Sequence, residues 1–287
     1  MRTFRDYVQL AEAKGIKIGD IVRQEQAETS ETPKDELQKR MRDNLNIMRA
    51  SVESGLNEER KSLSGLVGGD AAKVQAHWKS GKSLAGNRIS GAMARALAVA
   101  EVNASMGKIV AAPTAGSCGV LPGVLFTVQE ALGCAEEDLV TALFTAAGIG
   151  MVIADRANVS GAEGGCQAEI GSAAGMAAAA AVELSGGTPS QSSHAAAIAL
   201  KSFLGLVCDP VAGLVEVPCV KRNAMAASMA LSAADMALAG VESRIPLDEV
   251  IDAMNEIGKQ MPCSLRETAQ GGLATTPTGR RIKADFL

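Results

Sequence analysis

Aromatic residues are nearly missing from this sequence: five Phe, one Tyr and one Trp make up 2% of its 287 residues, although 47% are hydrophobic. Strands favour branched and aromatic side chains. Their scarcity, beside 30 glycines, points away from a sheet and toward helices packed closely through small residues. Histidine is almost as rare, with only His77 and His194, so a zinc site of mixed His/Cys type has few partners to draw on. No two of the six cysteines are separated by two residues, which excludes the zinc-ribbon and bacterial-ferredoxin spacings. G-x-S-x-G is missing as well, and with it the nucleophile elbow of a Ser-His-Asp hydrolase. The net charge is only −4, and no basic stripe interleaved with aromatics offers a footprint for nucleic acid. The opening MRTFRDYVQLAEAKG is charged and amphipathic, without the apolar stretch of a signal peptide. The longest uncharged apolar run, Leu139 to Ala154, falls short of the roughly 20 residues that span a bilayer. The expectation is a soluble, cytoplasmic protein with no membrane or nucleic-acid partner. In that compartment its cysteines are free thiols or metal ligands, not disulfides.

What is present is alanine and glycine in long, sparsely charged stretches. Residues 1–60 are the most charged part, and Leu37, Met41, Leu45 and Met48 mark an amphipathic helix over Asp35–Met48. Thr32-Pro33 stands ahead of it as cap and first-turn proline. Further helices are expected over Ile89–Met106, Leu139–Asn158, Ala173–Leu184, Ser192–Leu206, Arg222–Ala239 and Leu247–Lys259. Segments dense in Gly, Pro and Ser separate them: Ala112–Gly123, Ser160–Gly165, Ser185–Gln191, Cys208–Cys219 and Met261–Gly279. Helices apolar on all sides belong in an interior, and the loops joining them are where chemistry sits. The fold class read from this is all-α: a compact bundle of buried Ala/Gly-rich helices. It forms one domain over 1–287, with charged amphipathic helices in 1–60 and the helical body in 61–287.

Cys166 follows two glycines in GGCQAE and opens the Ala-rich stretch; a helix N-terminus favours a thiolate. Cys208 and Cys219 bracket CDPVAGLVEVPC, each tied to a proline that stiffens the backbone. A buried cysteine packs well without any ligand, so core packing and metal binding both stand as readings of these thiols. A dispersed set of three thiolates leaves one iron of a four-iron cluster without a protein ligand, the open position that Lewis-acid catalysis requires. APTAGSCG, with Thr114, Gly116 and Ser117, and SLSGLVGGD, with Ser62 and Ser64, offer hydroxyls and unhindered N–H groups suited to a carboxylate. RETAQGGL near the C-terminus reads as a surface loop, and Ser192-Ser193 ahead of His194 as helix caps. A pyridoxal-phosphate lyase is the competing class. It would use Lys201, the one lysine between Val110 and Val220, with Ser185-Gly186-Gly187-Thr188 as phosphate loop. A non-catalytic iron–sulfur protein is a third reading.

PTAGSCGVLPG, SGAEGGCQAEIGSAAGMAAA, CDPVAGLVEVPC and RETAQGGLA, with SLSGLVGGDA upstream of them, resemble the iron–sulfur-dependent L-serine dehydratases. The resemblance is specifically to the alpha (catalytic) subunit of the two-chain bacterial form, and runs from about Ser62 to Ala274. It implies an all-helical catalytic domain and a [4Fe-4S] cluster held by Cys166, Cys208 and Cys219. Cys134 is excluded from that set, and Cys118 and Cys263 are residual candidates. It further implies a gluconeogenic, amino-acid-catabolic lyase that deaminates L-serine to pyruvate and ammonia, with the substrate carboxylate held by Ser62, Ser64, Thr114, Gly116 and Ser117. Some family members carry a fused domain with a Ser-Ser-Ser-His-Thr stretch, or a tail cysteine. This sequence has neither, so the expected partner is a separate beta subunit in an oligomeric enzyme; no residue of this chain is assigned as the general base, and the partner is the candidate to supply it.

Overall fold

A computed structural model describes residues 3–286. Every regular element among them is helical, and the only β-type pairing is an isolated parallel bridge between Cys208 and Arg266. Three helices lead the chain: α1 (Phe4–Lys14), α2 (Ile18–Thr29) and α3 (Lys34–Asn57). The body follows with α4 (Asp70–Lys79), α5 (Gly86–Ala104), α6 (Val120–Leu132), α7 (Glu136–Arg156), the short α8 (Gly161–Gly164) and α9 (Ser172–Leu184). It closes with α10 (Pro189–Lys201), α11 (Cys219–Leu238), α12 (Leu247–Gln260) and α13 (Pro277–Phe286).

α9 is the hub. Every residue from Ser172 to Glu183 is buried, and α6, α7, α10 and α11 surround it. Alanine makes this arrangement work, because a methyl-sized side chain lets four neighbouring backbones close on one helix. Glycine serves where alanine is already too large. A Cβ at Gly19 would stand 2.1 Å from the Thr141 carbonyl oxygen, and one at Gly119 would stand 2.2 Å from that of Ala96. α2 therefore rests on α7, and the start of α6 on α5, at backbone contact. α1 to α3 join the same apolar core through Phe4, Tyr7, Ile18, Ile21, Leu45 and Met48. Ala115–Leu132 and α7 are long and apolar enough to cross a membrane by length and composition, yet 67% and 61% of those stretches lie buried against other parts of this fold.

Several boundaries differ from the sequence reading, each for a local reason. α3 starts at Lys34, with Pro33 itself in the cap position and no side-chain cap, and runs nine residues past Met48 to Asn57. α10 starts at Pro189, because Thr188 and Gln191 form a capping box; Ser192 therefore lies within the helix and does not cap it. α10 also stops at Lys201, short of Leu206, where the chain turns through a left-handed Gly205 (φ 83°). Pro122 falls inside the first turn of α6, where its missing N–H has no partner to lose, so the expected loop ends at Gly119. Ahead of α9, residues Gln167–Gly171 form a π-helical turn, a wide turn frequent at functional sites.

Candidate functional site

The fold gathers three of the six cysteines at one place. Cys166 opens the π turn that runs into α9, Cys219 is the first residue of α11, and Cys208 sits on the loop crossing between α10 and α11. All three are buried. The Cys208 backbone is fixed on both sides by the C-terminal segment: its N–H donates to the Leu265 carbonyl (2.9 Å) and its carbonyl accepts from Glu267 N–H (2.8 Å). The 266–273 stretch lies at the surface, as the sequence suggests, with every residue half-buried or exposed, and it also borders the site through Glu267.

Electrostatics ties the thiols together. A hydrogen bond from the Cys208 thiol to the Cys166 sulfur holds Cys166 below the ordinary thiol range, and the nearby Arg222 guanidinium adds to this against the effect of burial. The same bond, with burial, pushes Cys208 up. Burial pushes Cys219 up to about 12. Arg222 is held in place by the Val207 carbonyl (2.9 Å) and the Asp209 carboxylate (3.0 Å), and Asp209 also accepts from Leu273 N–H (2.8 Å).

Beside the thiols opens a cavity of about 420 Å³, with Cys208 and Cys219 in its wall together with Glu169, Gly116, Glu216 and Glu267. Leu63, Met106 and Val215, all exposed, form its rim. Five described non-glycine residues have left-handed backbones; Met106 and Glu267 line this cavity, while Ala212 and Ala269 lie in the loops that build it. Such strain collects where the surrounding fold over-determines a functional loop.

Of the five hydroxyl- and glycine-bearing candidates, Gly116 faces the cavity and the other four stand behind its lining. Thr114 donates to Glu169 Oε1 (2.7 Å), and Ser64 donates to Glu216 Oε2 (2.5 Å) with Ser62 3.3 Å from it. Ser117 is fully buried, with its hydroxyl directed at the Ala112 carbonyl (3.3 Å). The hydroxyls of Thr114, Ser64 and Ser117 are therefore committed to carboxylates and a carbonyl of the chain itself, and Ser62 is paired with the Ser64 hydroxyl. Burial pushes Glu169 above the ordinary carboxylate range, opposed by the Thr114 bond.

Asn223 was invisible as a site residue in the sequence, yet it joins two of the loops. It accepts from Gly119 N–H (2.9 Å) and donates to the carbonyls of Gly116 (2.8 Å) and Cys219 (3.0 Å). Glu169, Arg222 and Asn223 share one signal: each lies three or four residues after a site cysteine, on the same helical face.

The remaining cysteines lie apart from the cavity lining. Cys118 is buried against the Val99 carbonyl and pushed up to about 12 by desolvation. Cys134 sits near the Leu184 carbonyl, and Cys263 is exposed on the turn before Arg266. The pyridoxal-phosphate constellation does not assemble. Lys201 and Thr188 flank opposite ends of α10, about 20 Å apart at 1.5 Å per residue, and Lys201 is bonded to Ser243. His194 accepts from Ser243 N–H (3.2 Å), away from the cavity.

The family described as "Serine dehydratase alpha chain" matches residues 13–274. The chain belongs to this family. A Bacillus subtilis protein named "Probable L-serine dehydratase, alpha chain" is 57% identical over 98% of this chain and 94% of its own length. The "L-serine dehydratase, alpha chain" of Peptoniphilus asaccharolyticus is 46% identical over 100% and 98%. A longer relative, "L-serine dehydratase 1" of Escherichia coli, is 50% identical over 62% of this chain and 40% of its own length. In that relative the matched region is one part of a larger polypeptide.

Proposed function

We propose that this chain is the alpha subunit of an L-serine dehydratase, converting L-serine to pyruvate and ammonia in the cytoplasm together with a separate beta chain. The observation that carries this reading is the gathering of three buried thiols in a member of that family, with Cys208 and Cys219 in the wall of one cavity and Cys166 beside them. The donor set fits a [4Fe-4S] cluster. Thiolates are the ligands such clusters take, one to each iron, so the sulfurs need to border a space and not converge on a point. No three donors among the described residues converge as a single bound ion would require, whereas Cys208 and Cys219 border the cavity and the Cys166 thiol lies beside that of Cys208. Arg222 supplies positive charge against the thiolates and is anchored by Asp209.

The reaction removes a proton from serine Cα and the hydroxyl from Cβ; the enamine that results hydrolyses to pyruvate and ammonia. The chemistry a bound cluster supplies is Lewis acidity at an iron without a protein ligand, which stabilises the departing hydroxide. The chain's own residues position the rest. Asn223 holds the Gly116 loop against the start of α11, and the Gly116 backbone forms the floor on which the substrate lies. Thr114 and Ser64 act one step removed from the substrate, keeping Glu169 and Glu216 directed at it, and Ser62 and Ser117 brace the two loops. The Cα proton goes to a base on the beta chain.

The test is pyruvate formation from L-serine by air-free preparations of this chain with and without its beta partner. Turnover with the pair, and none after Cys208→Ala, supports the reading. Full turnover by the Cys208→Ala enzyme, or turnover that borohydride abolishes, removes it.

A further inference from the structure

The cavity beside the thiols carries no positive side chain: among its lining residues Glu169, Glu216 and Glu267 are ionisable carboxyls and none is Lys, Arg or His. Arg222 is turned to Asp209 and the Val207 carbonyl behind the thiols, and Arg266 to the Glu163 carbonyl. Of the three carboxylates, Glu169 is the one built into the scaffold. It rides on the π turn three residues after Cys166, and its side chain lines the cavity. Its Oε1 is fixed by Thr114 (2.7 Å). Its Oε2 lies against Gly161, where a Cβ would stand 2.7 Å from that oxygen and 3.1 Å from the Cys208 sulfur. Glycine at 161 thus leaves one spot bordered by both the carboxylate oxygen and a thiol. Gly116 likewise clears the other side of the carboxylate, with its Cβ position 3.1 Å from Oε1. Glu216 is held by Ser64 much as Glu169 is by Thr114, but it is buried where Glu169 is half-exposed, and Glu267 is exposed at the rim.

We infer that Glu169 binds the α-ammonium group of the substrate. A fixed carboxylate with one oxygen uncommitted, in a half-buried wall without cations, recognises a primary ammonium through a charge-assisted hydrogen bond. The inference rests on the serine dehydratase reading and deepens it: this chain reads the amino group, and the substrate carboxylate finds its positive partner outside this cavity wall. Specificity then follows from charge. A hydroxy acid of the same size without the amino group leaves Glu169 facing no counter-ion.

The experiment uses the assembled two-chain enzyme, prepared without air, with wild type, Glu169→Gln and Glu169→Asp compared. Three readouts are taken: the visible absorption of the bound cluster, KM for L-serine, and the inhibition constant of 3-hydroxypropanoate, which keeps the hydroxyl and carboxylate but lacks the ammonium. Glu169→Gln is expected to keep the absorption and to raise KM on the order of 10- to 100-fold, the loss of one charge-assisted hydrogen bond. It is expected to leave inhibition by 3-hydroxypropanoate unchanged or tighter, and Glu169→Asp should recover part of the KM. An unmoved KM, a parallel weakening of substrate and inhibitor, or loss of the cluster absorption in both variants overturns the assignment. A wild-type enzyme that does not turn over serine overturns the parent reading instead.

Discussion

Replacing Asn223 with alanine should loosen the site and the fold together. The Asn223 side chain is buried and serves two otherwise unpaired backbone groups outside its own helix, the Gly119 N–H and the Gly116 carbonyl. The third bond, to the Cys219 carbonyl, falls within the first turn of α11. An unsatisfied buried donor or acceptor costs about 1–3 kcal/mol, and the site is closed on both sides: Gly119 rests on the Ala96 carbonyl at backbone contact. Water has little room to take over the lost bonds. Asn223→Ala should therefore lose about 2–4 kcal/mol, a fall in Tm of roughly 3–7 °C for a chain of this size. Because the same side chain registers the Gly116 loop against Cys219, iron content after air-free reconstitution should fall as well. Urea unfolding and thermal melts of the variant give the first number, and iron analysis gives the second. A loss under about 0.5 kcal/mol, the range of ordinary surface substitutions, with full iron content would refute the reasoning.

Two further outcomes follow from the core. Glu183 is buried between α2, α7 and α9, accepts from Thr145 (2.7 Å), and is raised to about 7, chiefly by desolvation. The folded chain keeps a proton that the unfolded chain releases near the ordinary glutamate value, so this group's stabilising contribution is full below about pH 4.5 and is lost as pH rises to about 7. Relative to Glu183→Gln, wild type should lose on the order of 3 kcal/mol between pH 5 and pH 8, read by urea unfolding at both values; a pH-independent difference rules this out. Gly19→Ala should destabilise by about 1–3 kcal/mol or more through overpacking against the Thr141 carbonyl. This holds although alanine is the better helix former by about 1 kcal/mol, and a variant melting at or above the wild-type temperature contradicts the backbone contact.

The helices that the sequence revealed are those whose composition does the packing. α9 is nearly pure alanine, α7 is apolar on most sides, and α12 shows Leu247, Val250, Ile251 and Met254 on one face. Their ends were less legible, since a capping box such as Thr188–Gln191 or a turn at Gly205 depends on single side chains and single dihedrals. The thiols stood out because glycine and proline punctuate their loops. Glu169, Arg222 and Asn223 did not, because their meaning comes from segments far away in the chain: Thr114, Asp209 and Gly116. The 266–273 stretch is the surface loop its composition suggests, but a polar Gly-rich segment gives no sign that the backbone at Leu265–Glu267 pairs with Cys208. The serine and threonine hydroxyls were legible as a cluster, but the carboxylates that take their protons were legible only once the loops were brought together.

On the proposed reading, the sulfurs of Cys166, Cys208 and Cys219 together hold one inorganic group on which this chain's chemistry depends. Iron and acid-labile sulfide, measured per chain on material prepared without air, test it most directly, with pyruvate formation followed on the same samples. Wild type and Cys134→Ala should each hold on the order of four iron and four sulfide and form pyruvate from L-serine. Cys166→Ala, Cys208→Ala and Cys219→Ala should lose the broad visible absorption and the activity together. Fully active enzyme without iron would contradict the account.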